Sequence, residues 1–520
     1  MIAAKFREKV QNERWYLRMR KLLALIMALM MMLTLVPSLA EEAAEEPVVI
    51  TIFHTNDVHG RYNSDAGMGY AMMASFVNEA RKAGNVLVFD VGDTLHGTVF
   101  ANVVKGESIV DVMNAMGYDA MAPGNHDFNY GYDRLKELEA IMDFPLLSSN
   151  VLLKDSGEHA FTPYTVLEIA EKRIGVIGAE NPQMVTAIHP DNIASLSFED
   201  ASYVEEAVKA VQAEGVDAVI ILAHWGCDDA YDPNSMQALA TIPGVSLVID
   251  GHSHTSLYDI VQLSDENAPI VTSTGEYLNN LGKVTLTFLP EGGLDVQAEL
   301  IPNPGRFEDH GLIGIIDEAE TAQSAELDKV LGETTVELMG ERPVVRTSES
   351  NWGNLATDIF IQATGADVAL MNGGNIRATT PAGPITARDV NTVFPFGNLV
   401  VMMEISGQAL IDALEVGLSL YPETSGGFPQ VGGMTVRFDP AAEPGSRVTE
   451  VLIGGNPIDP TAIYKLATND FLAAGGDGYV SLADYPVLFN MGAMDEVIVD
   501  YLRENSPVSP ALEGRIAPAE

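Results

Sequence analysis

Seven residues of this 520-residue chain are of types that hold divalent cations, and an eighth, His126, is of the type that moves protons. They stand in Asp57-Val58-His59, Gly92-Asp93, Gly124-Asn125-His126-Asp127, His224 and Gly251-His252-Ser253-His254, each just after a short apolar run. In an extended segment, residues i and i+2 point to one side, so Asp57 and His59 can share one ion; His252 and His254 are again i and i+2. Nitrogen and oxygen donors without a thiolate suit Zn, Mn, Co or Fe and do not choose among them. Singly these signals are weak, because a polar group at a strand end is more often a hydrogen-bonded structural residue. Jointly they are specific. Five of the ten histidines, two aspartates and an asparagine fall where α/β sheets place ligands, at the C-termini of strands.

The elements that must position them are Val- and Ile-rich runs alternating with helical segments from residue 48 to about 300, the pattern of a layered α/β domain. Strands are predicted over Val48–Thr55, Val86–Val91, Ala120–Pro123, Arg173–Gly178, Val216–Ala223, Val245–Ile249 and Ile270–Thr274, with Thr285–Leu289 closing the region. Pro302, Pro304 and Gly305 then break the pattern, and a connecting helix is predicted over Leu312–Val330. The expected organisation is a first domain over 45–305, a connector over 306–332 and a second, mixed α+β domain over 333–517.

Composition limits the partners. With 29 Lys+Arg against 73 Asp+Glu, the net charge of −44 repels DNA, RNA and anionic lipid, which argues against a polymer nucleic-acid partner. Lys5, Arg7, Lys9, Arg14, Arg18, Arg20 and Lys21 precede the apolar run Leu22–Val36 and the small-x-small site Ser38-Leu39-Ala40. Residues 1–40 therefore read as a secretory signal, the apolar run being short for a membrane span. The expected product is secreted or periplasmic, without a stable membrane anchor. Cys227 is the only cysteine, so no internal disulfide is available and a structural role is expected for it.

The motifs of the first domain resemble those of the calcineurin-like metallophosphoesterases. Their order, with the second domain, is similar to the 5′-nucleotidase branch, which includes UDP-sugar hydrolases and 2′,3′-cyclic-nucleotide 2′-phosphodiesterases. The resemblance implies a four-layer α-β-β-α sandwich followed by an α+β substrate-binding domain. It also implies two divalent metal ions, one on Asp57, His59, Asp93 and His254, the other on Asp93, Asn125, His224 and His252. Such a pair lowers the pKa of a shared water and clamps phosphate oxygens during in-line displacement. His126 would face the reacting phosphate as a charge stabiliser or leaving-group acid. The family often carries an acidic residue three positions after this histidine, where this chain has Asn129. An amide can orient the imidazole but cannot stabilise its cation by charge. Asp127 is expected to point elsewhere by alternation.

The second domain supplies candidates for base recognition. Asn372-Gly373-Gly374-Asn375-Ile376-Arg377 follows an apolar run, and its glycines let backbone approach a ligand while Arg377 offers a planar fork. Phe396 and Phe471 each stand beside a turn, and a base held between two rings gains stacking energy with little sequence demand. Taken singly, both would more often be core residues. The resemblance makes them the family's two stacking phenylalanines, with Asn398 and Asp477 near base and ribose, and matches Asn372 and Arg377 to its Asn-Gly-Gly-Gly-Ile-Arg motif. Asn375 replaces the third glycine of that motif, and Arg346 is a looser match to a second arginine.

The expected function is a secreted dinuclear-metal phosphohydrolase acting on nucleoside 5′-monophosphates through a metal-bridging hydroxide, with a small-molecule nucleotide as substrate. The alternatives are 2′,3′-cyclic nucleotides with 3′-nucleotides, a nucleoside diphosphate sugar, or a non-catalytic nucleotide-binding surface protein. His54 is expected to be a buried structural residue and His96 to line the site without ligating. His159, His189 and His310 lack a supporting motif.

Overall fold

Alternate residues of the strands decide the layering. In the computed structural model, Ile50, Ile52, Leu87 and Phe89 of one sheet face Ile174, Val176, Ile220 and Leu222 of another, in a single buried cluster. The first sheet runs Leu294–Pro302, Asn280–Phe288, Val48–Thr55, Asn85–Asp90, Ala120–Met121. The second runs Ile270–Thr272, Leu247–Asp250, Ala218–His224, Lys172–Glu180, Tyr164–Ile169. The intervening residues of the strands point outward. Phe53 and Val88 pack with Met73, Val77, Ile109 and Met113 of helices Tyr70–Ala83 and Glu107–Met116. Ile177 and Ile221 pack with Val204, Val208 and Val211 of helix Ala201–Ala213. The result is the expected α-β-β-α sandwich.

The structure describes residues 2–33, 46–64, 67–188, 190–228, 231–256, 269–303, 305 and 307–519. The Ser38-Leu39-Ala40 site, His189 and Pro304 lie outside the described residues. Contacts divide the chain into two compact units, Met1–Pro47 with Leu289–Gly293, and Val48–Phe288 with Leu294–Glu520. In the first unit Ile2–Leu33 is one helix. Among the described residues no helix is long and apolar enough to cross a membrane.

Two boundaries differ from expectation. The closing strand spans Asn280–Phe288 and forms a hairpin with Leu294–Pro302, which the sequence pattern did not reveal. The connecting helix spans His310–Leu327, because the Asp309 side chain caps its first turn by accepting from Gly311 N and Leu312 N. Past Asp328 the chain turns extended, and Val330–Thr334 pairs with Gly383–Thr386.

The second domain is built on the sheet Pro429–Gly432, Val368–Asn372, Ile463–Asn469, Leu399–Ser406, Val487–Ala493. Ala369, Met371, Val400 and Met402 face helices Asn351–Thr364 and Met494–Asn505 through Ile359, Phe360, Ile498 and Leu502. Val368, Leu370, Val401 and Met403 face helix Gly407–Leu418 through Leu410 and Leu414. Asn372 and Asn469 end neighbouring parallel strands, and Asn398 directly precedes a strand that runs against them. All three therefore stand at one sheet edge.

Candidate active site

Val48–Thr55, Asn85–Asp90 and Ala120–Met121 are parallel, as are Lys172–Glu180, Ala218–His224 and Leu247–Asp250. Their C-terminal ends therefore deliver Asp57, His59, Asp93, Asn125, His126, His224, His252 and His254 to one edge of the sandwich. The delivery is not by extended alternation. Asp57 (φ 50°), His59 (φ 49°), Asp93 (φ 54°), His252 (φ 75°) and His254 (φ 54°) all adopt the left-handed conformation. Each such non-glycine residue costs on the order of 1–3 kcal/mol and persists only where its surroundings enforce it. Here backbone bonds sew the loops together: Asp57 N–H donates to Gly92 O, His59 N–H to Asp93 O, and Tyr277 N–H to Asp57 O. The strand ends also approach closely, since a Cβ on Gly92 would lie 2.2 Å from Gly124 N, and one on Gly124 would lie 2.2 Å from Asp93 Oδ1.

The side chains form three overlapping groups, Asp57/His59/His254, His59/Asp93/His126 and Asp93/His224/His252, in each of which the ligand atoms lie within 4.8 Å of one another. Asp93 joins two of them. Its Oδ1 accepts from His126 N at 2.7 Å, and its Oδ2 lies 3.3 Å from His224 Nε2, 3.9 Å from His126 Nε2 and 4.0 Å from His59 Nε2. Asp57 Oδ1 lies 3.5 Å from His254 Nε2. Asp127, as expected, points away from His126. Its carboxylate accepts from the backbone N–H groups of Asp93, Thr94, Leu95 and Gly124, and so fixes the loop that carries Asp93.

These residues fit divalent cations. The His224 Nδ1–H donates to Val91 O at 2.6 Å, which leaves Nε2, 3.3 Å from Asp93 Oδ2, as the nitrogen that can take a cation once it gives up its proton. The Oδ1 of buried Asn125 has no hydrogen-bond partner among the described residues, as an unfilled ligand atom should. Burial holds His59 and His252 down to about 3 and His126 down to about 4, so these rings are neutral at pH 7. His224 behaves oppositely. Burial works against its charge, but Asp93 outweighs that and lifts it to about 10. For His254 burial is likewise outweighed, by hydrogen bonds to Asp57 and Glu276, which lift it to about 11. The same interactions hold Asp57 and Asp93 below the ordinary carboxylate range against the effect of their burial. The cluster of carboxylates thus holds protons where it could hold cations.

Several neighbours were not foreseen. Glu276 Oε2 lies 2.5 Å from His254 Nδ1, and the Tyr277 ring lies 5.4 Å from that of His59. The Arg61 guanidinium stands over Tyr277, 4.9 Å from the ring centre. Asn129 does meet His126, its Nδ2 lying 3.2 Å from Nδ1. His96 is fully buried and reaches both Asn129 and Glu496. His54 is buried against Thr272, as expected. Cys227 is buried with Sγ 3.4 Å from Ser253 Oγ, and burial pushes its thiol up to about 12, which makes it inert.

In the second domain Phe396 and Phe471 remain 49% and 43% exposed, too open for core residues. The Arg377 guanidinium lies 5.4 Å from the centre of the Phe396 ring. Asn398 Nδ2 donates to Asn375 Oδ1, Asn375 Nδ2 to Asn372 Oδ1, and Asn372 Nδ2 to Asp477 Oδ2. Asn375, in place of the glycine of related motifs, is therefore a buried link from Asn398 to Asn372, which in turn holds Asp477. Asp477 takes the left-handed conformation (φ 51°), and Arg346 Nε is buried without a partner among the described residues.

Comparison with known proteins places this geometry. Residues 50–256 match the family model of calcineurin-like phosphoesterases, and residues 330–484 match that of the 5′-nucleotidase C-terminal domain. A 5′-nucleotidase of Diplobatis ommata is 30% identical over 90% of each chain. The trifunctional nucleotide phosphoesterase protein YfkN of Bacillus subtilis is 31% identical over 90% of this chain, which spans 35% of that protein's length. The structure of a 5′-nucleotidase precursor from Thermus thermophilus is 30% identical and superposes with a TM-score of 0.53, covering 90% of this chain and 99% of that one. With the matched sandwich, the matched second domain and a metal-competent edge, the chain belongs to the 5′-nucleotidase family of calcineurin-like phosphoesterases and is a metal-dependent phosphoester hydrolase.

Proposed function

We propose that this chain is an exported enzyme that removes the phosphate of nucleoside 5′-monophosphates. The observation that carries the reading is the convergence of two histidine–carboxylate groups on Asp93. Asp57, His59, Asp93 and His254 would hold one divalent ion, and Asp93, Asn125, His224 and His252 the other. Bound there, such a pair supplies an activated water and charge neutralisation for the phosphate. His126 faces the same space and holds its proton toward a phosphate or leaving-group oxygen. Glu276 orients His254, and Asp127 holds the Asp93 loop. Phe396 and Phe471 would take the base between them, with Asn398 and Asp477 beside base and ribose, Asn372 orienting Asp477, and Arg346 and Arg377 offsetting the substrate's negative charge. Export is supported by the basic segment followed by the apolar run Leu22–Val36.

A second reading, action on more than one kind of nucleotide phosphoester, is favoured by the similarity to a protein named a trifunctional nucleotide phosphoesterase. Phosphate release from AMP, the cyclic AMP isomers and UDP-glucose separates the readings. A kcat/KM highest on AMP supports the first. A higher value on a 2′,3′-cyclic nucleotide or on UDP-glucose replaces it.

A further inference from the structure

The acidic partner that related motifs place three residues after His126 is absent at Asn129, yet a carboxylate still reaches this network from the other domain. Asn129 Nδ2 lies 3.2 Å from His126 Nδ1 and 3.2 Å from His96 Nδ1, bridging two rings that are parallel to within 14° at a centroid separation of 6.2 Å. His96 Nε2 lies 3.2 Å from Oε2 of Glu496, in the first turn of helix Met494–Asn505. The backbone of Asn129 is itself fixed, its carbonyl accepting from Asn192 Nδ2 at 2.9 Å. The seam beside His96 is tight, since a Cβ on Gly397 would lie 2.1 Å from Gly97 O.

Hydrogen-bond valence orders this chain. A carboxylate only accepts, so His96 presents Nε2–H to Glu496 and leaves Nδ1 to its second partner, a donor. Among the described residues the Asn129 amide supplies it, which turns the NH2 group toward both rings. Its second proton faces His126 Nδ1, which must accept in turn. The one ring proton of His126 is thereby left on Nε2, the atom that faces Asp93 and the phosphate space. A carboxylate at position 129 would impose the opposite tautomer.

We propose that Glu496 is a positioning residue for catalysis, which acts through His96 and Asn129 to hold His126 as its Nε2–H tautomer. The second domain then does more than face the base: it sets the donor that meets the phosphate. The proposal rests on the phosphohydrolase reading above, and two readouts keep them apart.

The first readout is the tautomer, read from nitrogen–proton correlation spectra of the full chain labelled with 15N-histidine and loaded with zinc. His96 and His126, assigned by substitution, should both show a lone-pair Nδ1 and a protonated Nε2, and Glu496→Ala should abolish the uniform Nε2–H state of His126. The second is turnover of p-nitrophenyl phosphate, which has no base to recognise. Glu496→Ala should lower kcat about 10-fold with KM nearly unchanged, the usual scale for loss of an orienting partner. Glu496→Gln keeps an accepting oxygen and should restore most of that loss. A protonated Nδ1 on either ring of the wild type overturns the proposal, as does a Glu496→Ala enzyme with wild-type tautomers and kcat. Equal losses in both variants overturn it too. If the wild type releases no phosphate from any ester, the functional reading fails, and the tautomers still decide the role of Glu496.

Discussion

Oδ2 of Asp93 lies 3.3 Å from Nε2 of His224 and 4.0 Å from Nε2 of His59. One carboxylate thus serves both ligand groups. Asp93→Ala should bind fewer metal ions than His59→Ala and be at least about 10-fold less active, because the two cations lose the charge that offsets their repulsion. Elemental analysis and kcat/KM on the same preparations test this. Equal metal content and equal activity would mean that Asp93 is not shared.

Metal uptake should release protons. At pH 7 the metal-free protein holds a proton on His224, raised to about 10, and on His254, raised to about 11. Cation binding needs both rings neutral, so it should release about two protons per chain. Because both pKa values lie above pH 7, apparent metal affinity should rise with pH from 6 to 9. Titration calorimetry in buffers of different ionisation enthalpy counts the protons, and release of none would contradict the assignment.

The exposed rings of Phe396 and Phe471 should form one clamp. Phe396→Ala or Phe471→Ala should cost about 1–3 kcal/mol of stacking, roughly 5- to 150-fold in kcat/KM on nucleotides. Turnover of p-nitrophenyl phosphate should barely change. Equal losses on both substrates would show that the rings support the fold instead.

The pH profile tests position 129. Burial holds His126 down to about 4, so its protonation should leave the wild-type kcat profile flat from pH 5 to 9. Asn129→Asp places a carboxylate at Nδ1 and should raise that pKa by about 1–3 units. Below the new value the ring carries both protons. Above it the remaining proton stays on Nδ1, so Nε2 loses its hydrogen and a new alkaline limb should enter the profile. Profiles of identical shape would uncouple position 129 from His126.

Strand ends and ligand types were legible in the sequence because both are local. Val48–Thr55 is a short Val- and Ile-rich run, and Asp57 and His59 follow it with the right donors. The backbone that converges them was not legible: left-handed φ at Asp57, His59, Asp93, His252 and His254 is enforced by contacts between loops, not by local preference. Glu276 and Glu496 carry no motif and become relevant only when folding brings them to His254 and His96. Asn375 reads in the sequence only as a replacement for a motif glycine. Only the side-chain chain from Asn398 to Asp477 gives it a role.

The most direct test is the rate of phosphate release from AMP before chelation, after complete metal removal, and during stepwise return of one divalent cation. The expected result is loss of activity on removal and full recovery at two ions per chain. Undiminished AMP hydrolysis by metal-free protein would contradict the metal-dependent site built around Asp93.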